Sequence, residues 1–133
     1  MRTTRWIMAV GVAATVLLLA LPALSQERDS DGTRMQARQV ELGSVHSDRL
    51  TPPDDGVDWR MIRLDEQTDV VLRLSVKTED ASAQLKLTGA TGEELAVSTA
   101  GEEDASIERS LLAGIYYIAV ESADSLQYEI SLR

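Results

Sequence analysis

The chain has 133 residues and no cysteine, which excludes disulfides, thiol nucleophiles and thiolate metal sites. Its 22 Asp and Glu against 13 Lys and Arg give a formal net charge of −9. Such a surface repels nucleic acid and anionic lipid and suits solubility, cation binding or a basic partner.

The first 25 residues read as a secretory signal peptide. Arg2 and Arg5 form a short positive start, 6–21 is uncharged and apolar, and Pro22 breaks the helix. Ala23 and Ser25 place small residues where a signal peptidase reads them. A spanning helix needs roughly 20 apolar residues, and this stretch is shorter. Cleavage after Ser25 leaves 108 residues with 11 basic and 22 acidic side chains, a net charge of −11. The expectation is an exported protein, periplasmic or extracellular, with no stable membrane span after cleavage. Segment 26–37 has almost no apolar content and reads as a flexible tether.

From 38 to 133 the chain changes character. Short apolar alternations are separated by turn residues, the all-β signal. Val40 and Leu42 mark a first strand, and 59–64 an early second one. In 70–77, Val70, Leu72, Leu74 and Val76 share one face, with Val71, Arg73, Ser75 and Lys77 on the other. Leu85 and Leu87, then Leu95 and Val97, then Ile107 and Leu111, mark three shorter strands. Tyr116, Ile118 and Val120 make an inward row. So do Leu126, Tyr128, Ile130 and Leu132, with Gln127, Glu129 and Ser131 outward.

Turns fall between these runs. They are the Pro52-Pro53-Asp54-Asp55-Gly56 run, a compact hairpin at 89–92, an acidic loop at 101–104, Ala113-Gly114 and 122–125. No stretch beyond the leader has a helical period. About eight short strands in a chain of this size predict an antiparallel β-sandwich, jelly-roll-like, preceded by the signal-peptide helix. Two amphipathic sheets must cover each other's apolar faces.

Three segments carry a family resemblance. They are Asp58-Trp59-Arg60-Met61-Ile62-Arg63-Leu64, then Ala83 to Leu87 with Gly92 and Glu94 to Ser98, then Leu112-Ala113-Gly114-Ile115-Tyr116-Tyr117 running to Val120, closed by Tyr128 to Leu132. In these the chain resembles the bacterial pre-peptidase C-terminal domain from Val40 to Arg133. The resemblance implies a small β-sandwich of the kind appended to secreted proteases. It also implies an accessory or binding role, because some members resemble carbohydrate- or collagen-binding modules and some bind calcium.

Candidate sites follow from residue types. Asp54, Asp55 and Asp58 form the best metal candidate, since hard cations such as calcium take several oxygen ligands. The competing reading is a solvated turn in which Asp58 bonds its own backbone. Glu102-Glu103-Asp104 is a second acidic loop. Trp59 is expected in the core, where its area counts most, with stacking on a sugar ring as the alternative. If Tyr116 points inward, alternation puts Ile115 and Tyr117 on the outer face as a partner-binding patch. The alternative for that pair is a cross-strand contact on a half-covered sheet. Tyr116 and Tyr128 read as core residues with hydroxyls reaching the rim. The lone His46 and Ser110 lack a nucleophile elbow and a third group, so no catalytic triad is expected. The leading reading is therefore a non-catalytic interaction module for a protein or polysaccharide partner, with a structural or accessory subunit as the alternative.

Overall fold

The computed structural model describes residues 32–133; the predicted leader, its cleavage site and 26–31 lie outside the described residues. A single 3-10 turn at Arg34–Gln36 precedes nine strands. These are β1 (Arg38–Gln39), β2 (Val45–Leu50), β3 (Val57–Leu64), β4 (Thr68–Val76), β5 (Ala83–Gly89), β6 (Glu94–Ala100), β7 (Ala105–Leu111), β8 (Gly114–Glu121) and β9 (Leu126–Leu132). They form a five-stranded sheet, β1-β3-β8-β5-β6, and a four-stranded sheet, β2-β9-β4-β7. β1 runs parallel to β3, and the other described pairings are antiparallel. The expected all-β sandwich is what the chain adopts.

Most sequence neighbours lie in opposite sheets. Among the described strands, β5 and β6 are the one consecutive pair that hydrogen-bonds as a hairpin. The amphipathic pattern explains this, because each strand needs an apolar layer opposite it more than a partner beside it. Val70, Leu72 and Leu74 of β4 and Leu126, Ile130 and Leu132 of β9 are buried on one side. Leu85 and Leu87 of β5, Ile118 and Val120 of β8, and Ile62 and Leu64 of β3 meet them from the other. Each fully buried Leu or Ile contributes about 1.5–3 kcal/mol. The rows expected for β4, β5, β8 and β9 are the rows observed.

The differences have local causes. Val97, expected inward, is 42 % exposed. The register that runs from Ala83↔Ala100 sets Ala96 opposite the buried Leu87 and Val97 opposite Lys86, on the outer face; the shift at Leu87/Thr88 lies beyond them and takes Leu95 out of that alternation. Val40 is buried but lies just past the two-residue β1. β2 was not anticipated as a strand, because between Val45 and Leu50 it offers only polar and charged residues.

The turn between β5 and β6 behaves as its glycines suggest. Gly92 donates to the Gly89 carbonyl at 3.0 Å with φ +93, a left-handed conformation that favours glycine. A Cβ there would lie 2.0 Å from Arg34 Nη1. Gly92→Ala is expected to cost about 1–2 kcal/mol of stability, mostly through the backbone, in a thermal melt.

Candidate functional site

Strand register orders the outer face of the five-stranded sheet into cross-strand rows. The first row is Val57, Glu121, Gln84 and Thr99. The second is Trp59, Ala119, Lys86 and Val97. The third holds Met61, Tyr117 and Thr88, and the fourth Arg63 and Ile115. A water-facing sheet usually shows polar residues on its outer side. Here the first three rows each start on an apolar side chain of β3, and β8 adds Ala119, Tyr117 and Ile115. Trp59, Met61 and Tyr117 are half-buried and Ile115 is 38 % exposed. Ala119 points outward yet is fully buried, as expected of a small residue between Trp59 and Lys86.

Two features border this face. Where the first row ends, a trough of about 680 Å³ is lined by Pro52, Pro53, Gly56, Val57, Gln84, Glu121 and the Ser122-Ala123 turn, among others. At the other end, Arg34 reaches back over the sheet and stacks its guanidinium 5.6 Å above the Tyr117 ring. Lys86 Nζ lies 3.1 Å from Glu121 Oε2, so the lysine on this face is paired.

Behind the face, the β3 side of the sandwich interior is polar. Asp58 and Arg60 share the inward parity of Ile62 and Leu64, and both are buried. The Tyr128 hydroxyl of β9 donates to Asp58 Oδ2 at 2.5 Å. It accepts from Arg60 Nη1 at 2.8 Å. Arg60 Nη2 lies 3.4 Å from Asp48 Oδ2 of β2, and the guanidinium stacks over the Tyr128 ring at 5.4 Å. A relay of two carboxylates, one phenol and one guanidinium therefore ties the two sheets together. Burial pushes the Tyr128 phenol far above its ordinary value, so it stays protonated and donates.

The relay also explains β2. Its inward residues are His46, Asp48 and Leu50, and the first two face the buried arginine's end of the core rather than aliphatic side chains. His46 Nε2 sits 2.9 Å from Ser44 Oγ. Burial holds its pKa below the ordinary 6.5, and the charges of Arg60 and Arg38 push it the same way. A depressed histidine stabilises the fold in its neutral form. That contribution is complete above about 6.5 and is lost as pH falls through the lower folded-state value. Between pH 7 and pH 5 the melting temperature of the native chain should therefore fall more than that of His46→Gln.

The predicted metal ligands are not brought together. Asp58 lies inside β3, and its Oδ2 accepts from the Tyr128 hydroxyl. Asp55 is buried in the turn, where its backbone pairs with Thr51, and Asp54 is exposed. The Asp58 parity within β3 is what separates it from the loop. Among the described residues, no group of three or more His, Asp or Glu side chains is placed to hold a metal ion. Glu102, Glu103 and Asp104 are exposed on the β6–β7 turn.

Trp59 is not in the core as expected: it lies on the outer face, because Ile62 and Leu64 claim the inward parity. Ile115 and Tyr117 lie outward as expected, and Tyr116 points in, its hydroxyl 2.7 Å from the Leu112 carbonyl. Tyr128 is deep in the core rather than at the rim. His46 and Ser110 sit on β2 and β7, the two edges of the four-stranded sheet. Three strand spacings and a five-residue offset along the strands put them roughly 20 Å apart, too far for a nucleophile–base pair. Ser110 Oγ instead accepts from Gln67 at 3.1 Å.

Comparisons with known proteins agree at the level of fold. No family model matches the chain. No curated protein matches it either. Among solved structures, the pre-peptidase C-terminal domain of collagenase from Bacillus anthracis is similar at 16 % identity with a TM-score of 0.65. That match covers 73 % of this chain and 94 % of the other. A looser likeness, at 11 % identity and a TM-score of 0.45, is to PliG of Aeromonas hydrophila, a periplasmic inhibitor of g-type lysozyme. It covers 73 % of this chain and 97 % of that one. Among the described residues no helix is long and apolar enough to cross a membrane. The chain is a β-sandwich similar in fold to that pre-peptidase C-terminal domain.

Proposed function

We propose that the chain is an exported, non-catalytic β-sandwich module that binds a protein partner through the outer face of its five-stranded sheet. One observation carries the reading: Trp59, Met61, Ile115 and Tyr117 lie together on a solvent-facing sheet surface. Tyr, Trp and Met are the side chains enriched where proteins meet, because they offer large contact area at low entropic cost. The leader pattern of 1–25 supports export. The distance between His46 and Ser110 supports a role without catalysis.

The test uses the immobilised chain against the exported proteins of its own cell, with bound species identified by mass spectrometry. A protein captured by the native chain is expected to be lost on Tyr117→Ala. It should be retained on Arg73→Ala, which alters the outer face of the four-stranded sheet. Equal capture by both variants would remove the assignment.

A further inference from the structure

The outer face has a strongly uneven electrostatic border. Four loops gather at the end of the sandwich that holds the trough: 51–56, 77–82, 101–104 and 122–125. Together they carry eight carboxylates against Lys77 as their one basic residue. Glu79, Asp80, Glu102 and Asp124 are exposed there. A second concavity, lined by 76–82, Gly101 and Glu102, adjoins the trough at Ser82. Trp59 stands one row from the trough's Val57 and Glu121, so the apolar stripe runs into the acidic end without interruption.

One cation already stacks on an aromatic ring of the face. Arg34, from the segment just before β1, stacks on Tyr117 and lies against Gly92. An arginine over that ring is the chain's own example of the chemistry that the surface accepts. The acidic loops extend the same preference toward the trough through charge complementarity.

We propose that the partner element is a cationic polypeptide segment. Its apolar side chains lie along Trp59, Met61 and Ile115, and its basic side chains lie over Tyr117 and toward the carboxylates around the trough. This rests on the outer-face reading above and specifies the chemistry of the partner. It also gives Arg34 a role, as an internal occupant that the incoming segment displaces.

Trp59 reports binding directly, since the chain carrying Trp6→Phe has it as the single tryptophan. The probes are two short peptides, one alternating arginine with leucine and one alternating glutamate with leucine. The arginine peptide is expected to shift Trp59 emission saturably, and the glutamate peptide to leave it unchanged. Tyr117→Ala should weaken the arginine peptide about tenfold, and Glu102→Gln with Asp124→Asn should weaken it several-fold. Arg34→Gln should tighten it, whereas Arg38→Gln, the same change of charge away from Tyr117, should do so less.

Equal binding of the two peptides, or no binding of either, would overturn the proposal. So would arginine-peptide binding that survives Tyr117→Ala, since charge alone would then account for it. If native capture still depends on Tyr117 in any of these cases, the outer-face reading stands and only the cationic partner is lost. If native capture ignores Tyr117, the reading itself has failed.

Discussion

Arg60→Ala is expected to destabilise the fold by about 3–5 kcal/mol, the usual result of removing one member of a buried ionic group. The guanidinium is 1 % exposed and bonds both the Tyr128 hydroxyl and the Asp48 carboxylate. Its loss leaves Asp48 and Asp58 near each other's relay with no guanidinium to balance them. It also opens a cavity between the sheets, which adds to the cost. For a domain of this size each kcal/mol moves Tm by about 4–8 °C, so the loss exceeds about 12 °C. Tyr128→Phe should cost less, about 2–3 kcal/mol, because the ring still packs while the two hydrogen bonds of the hydroxyl are gone. A triple replacement, Asp58→Leu with Arg60→Met and Tyr128→Phe, should recover part of the loss, since a well-packed apolar trio removes the deepest buried charges and leaves only Asp48, at 15 % exposure, without its guanidinium. A thermal melt of the three variants checks the order. If Arg60→Ala melts within about 1 kcal/mol of the native chain, the relay is not a stabilising tie between the sheets.

The second large effect is on partner binding rather than stability. Trp59→Ala combined with Tyr117→Ala should weaken the captured complex by about 30-fold or more, the loss of about 2 kcal/mol that aromatic anchors at a contact centre carry. Both side chains are half-buried on the solvent side of their sheet, outside the aliphatic core. Stability should therefore fall far less than it does for Arg60→Ala. The contrast between the two experiments is the informative part. Arg60 and Trp59 are neighbours in sequence on opposite faces of β3, and one should report on folding while the other reports on binding.

That contrast also shows what could be read from the residues. β4 and β9 alternate cleanly, so their inward rows were legible, and from those rows the sandwich followed. β3 does not alternate by polarity. Trp59 and Met61 on one parity are as apolar as Ile62 and Leu64 on the other, and Asp58 and Arg60 share the buried side. Size and charge alone then favour the wrong face for Trp59 and a loop for Asp58. The signal that settles it is the parity of Ile62 and Leu64 carried back to Asp58. β2 was hidden for a linked reason. Two of its three inward residues, His46 and Asp48, are polar because they face the relay, and the relay becomes visible only when β2, β3 and β9 are brought together. Tyr117 was legible because the core demand of Ile118 and Val120 fixes its direction.

The most direct test of the outer-face assignment is oxidative footprinting of the chain, free and in complex with its captured partner. Trp59, Met61 and Tyr117 are among the side chains most reactive to hydroxyl radical, and they sit together in two adjacent rows. Binding through this face predicts that all three are protected in the complex, while the 98 % exposed Met35 serves as the oxidation reference. Unchanged oxidation of Trp59, Met61 and Tyr117 in a saturated complex would contradict the account and move the contact to another surface of the sandwich.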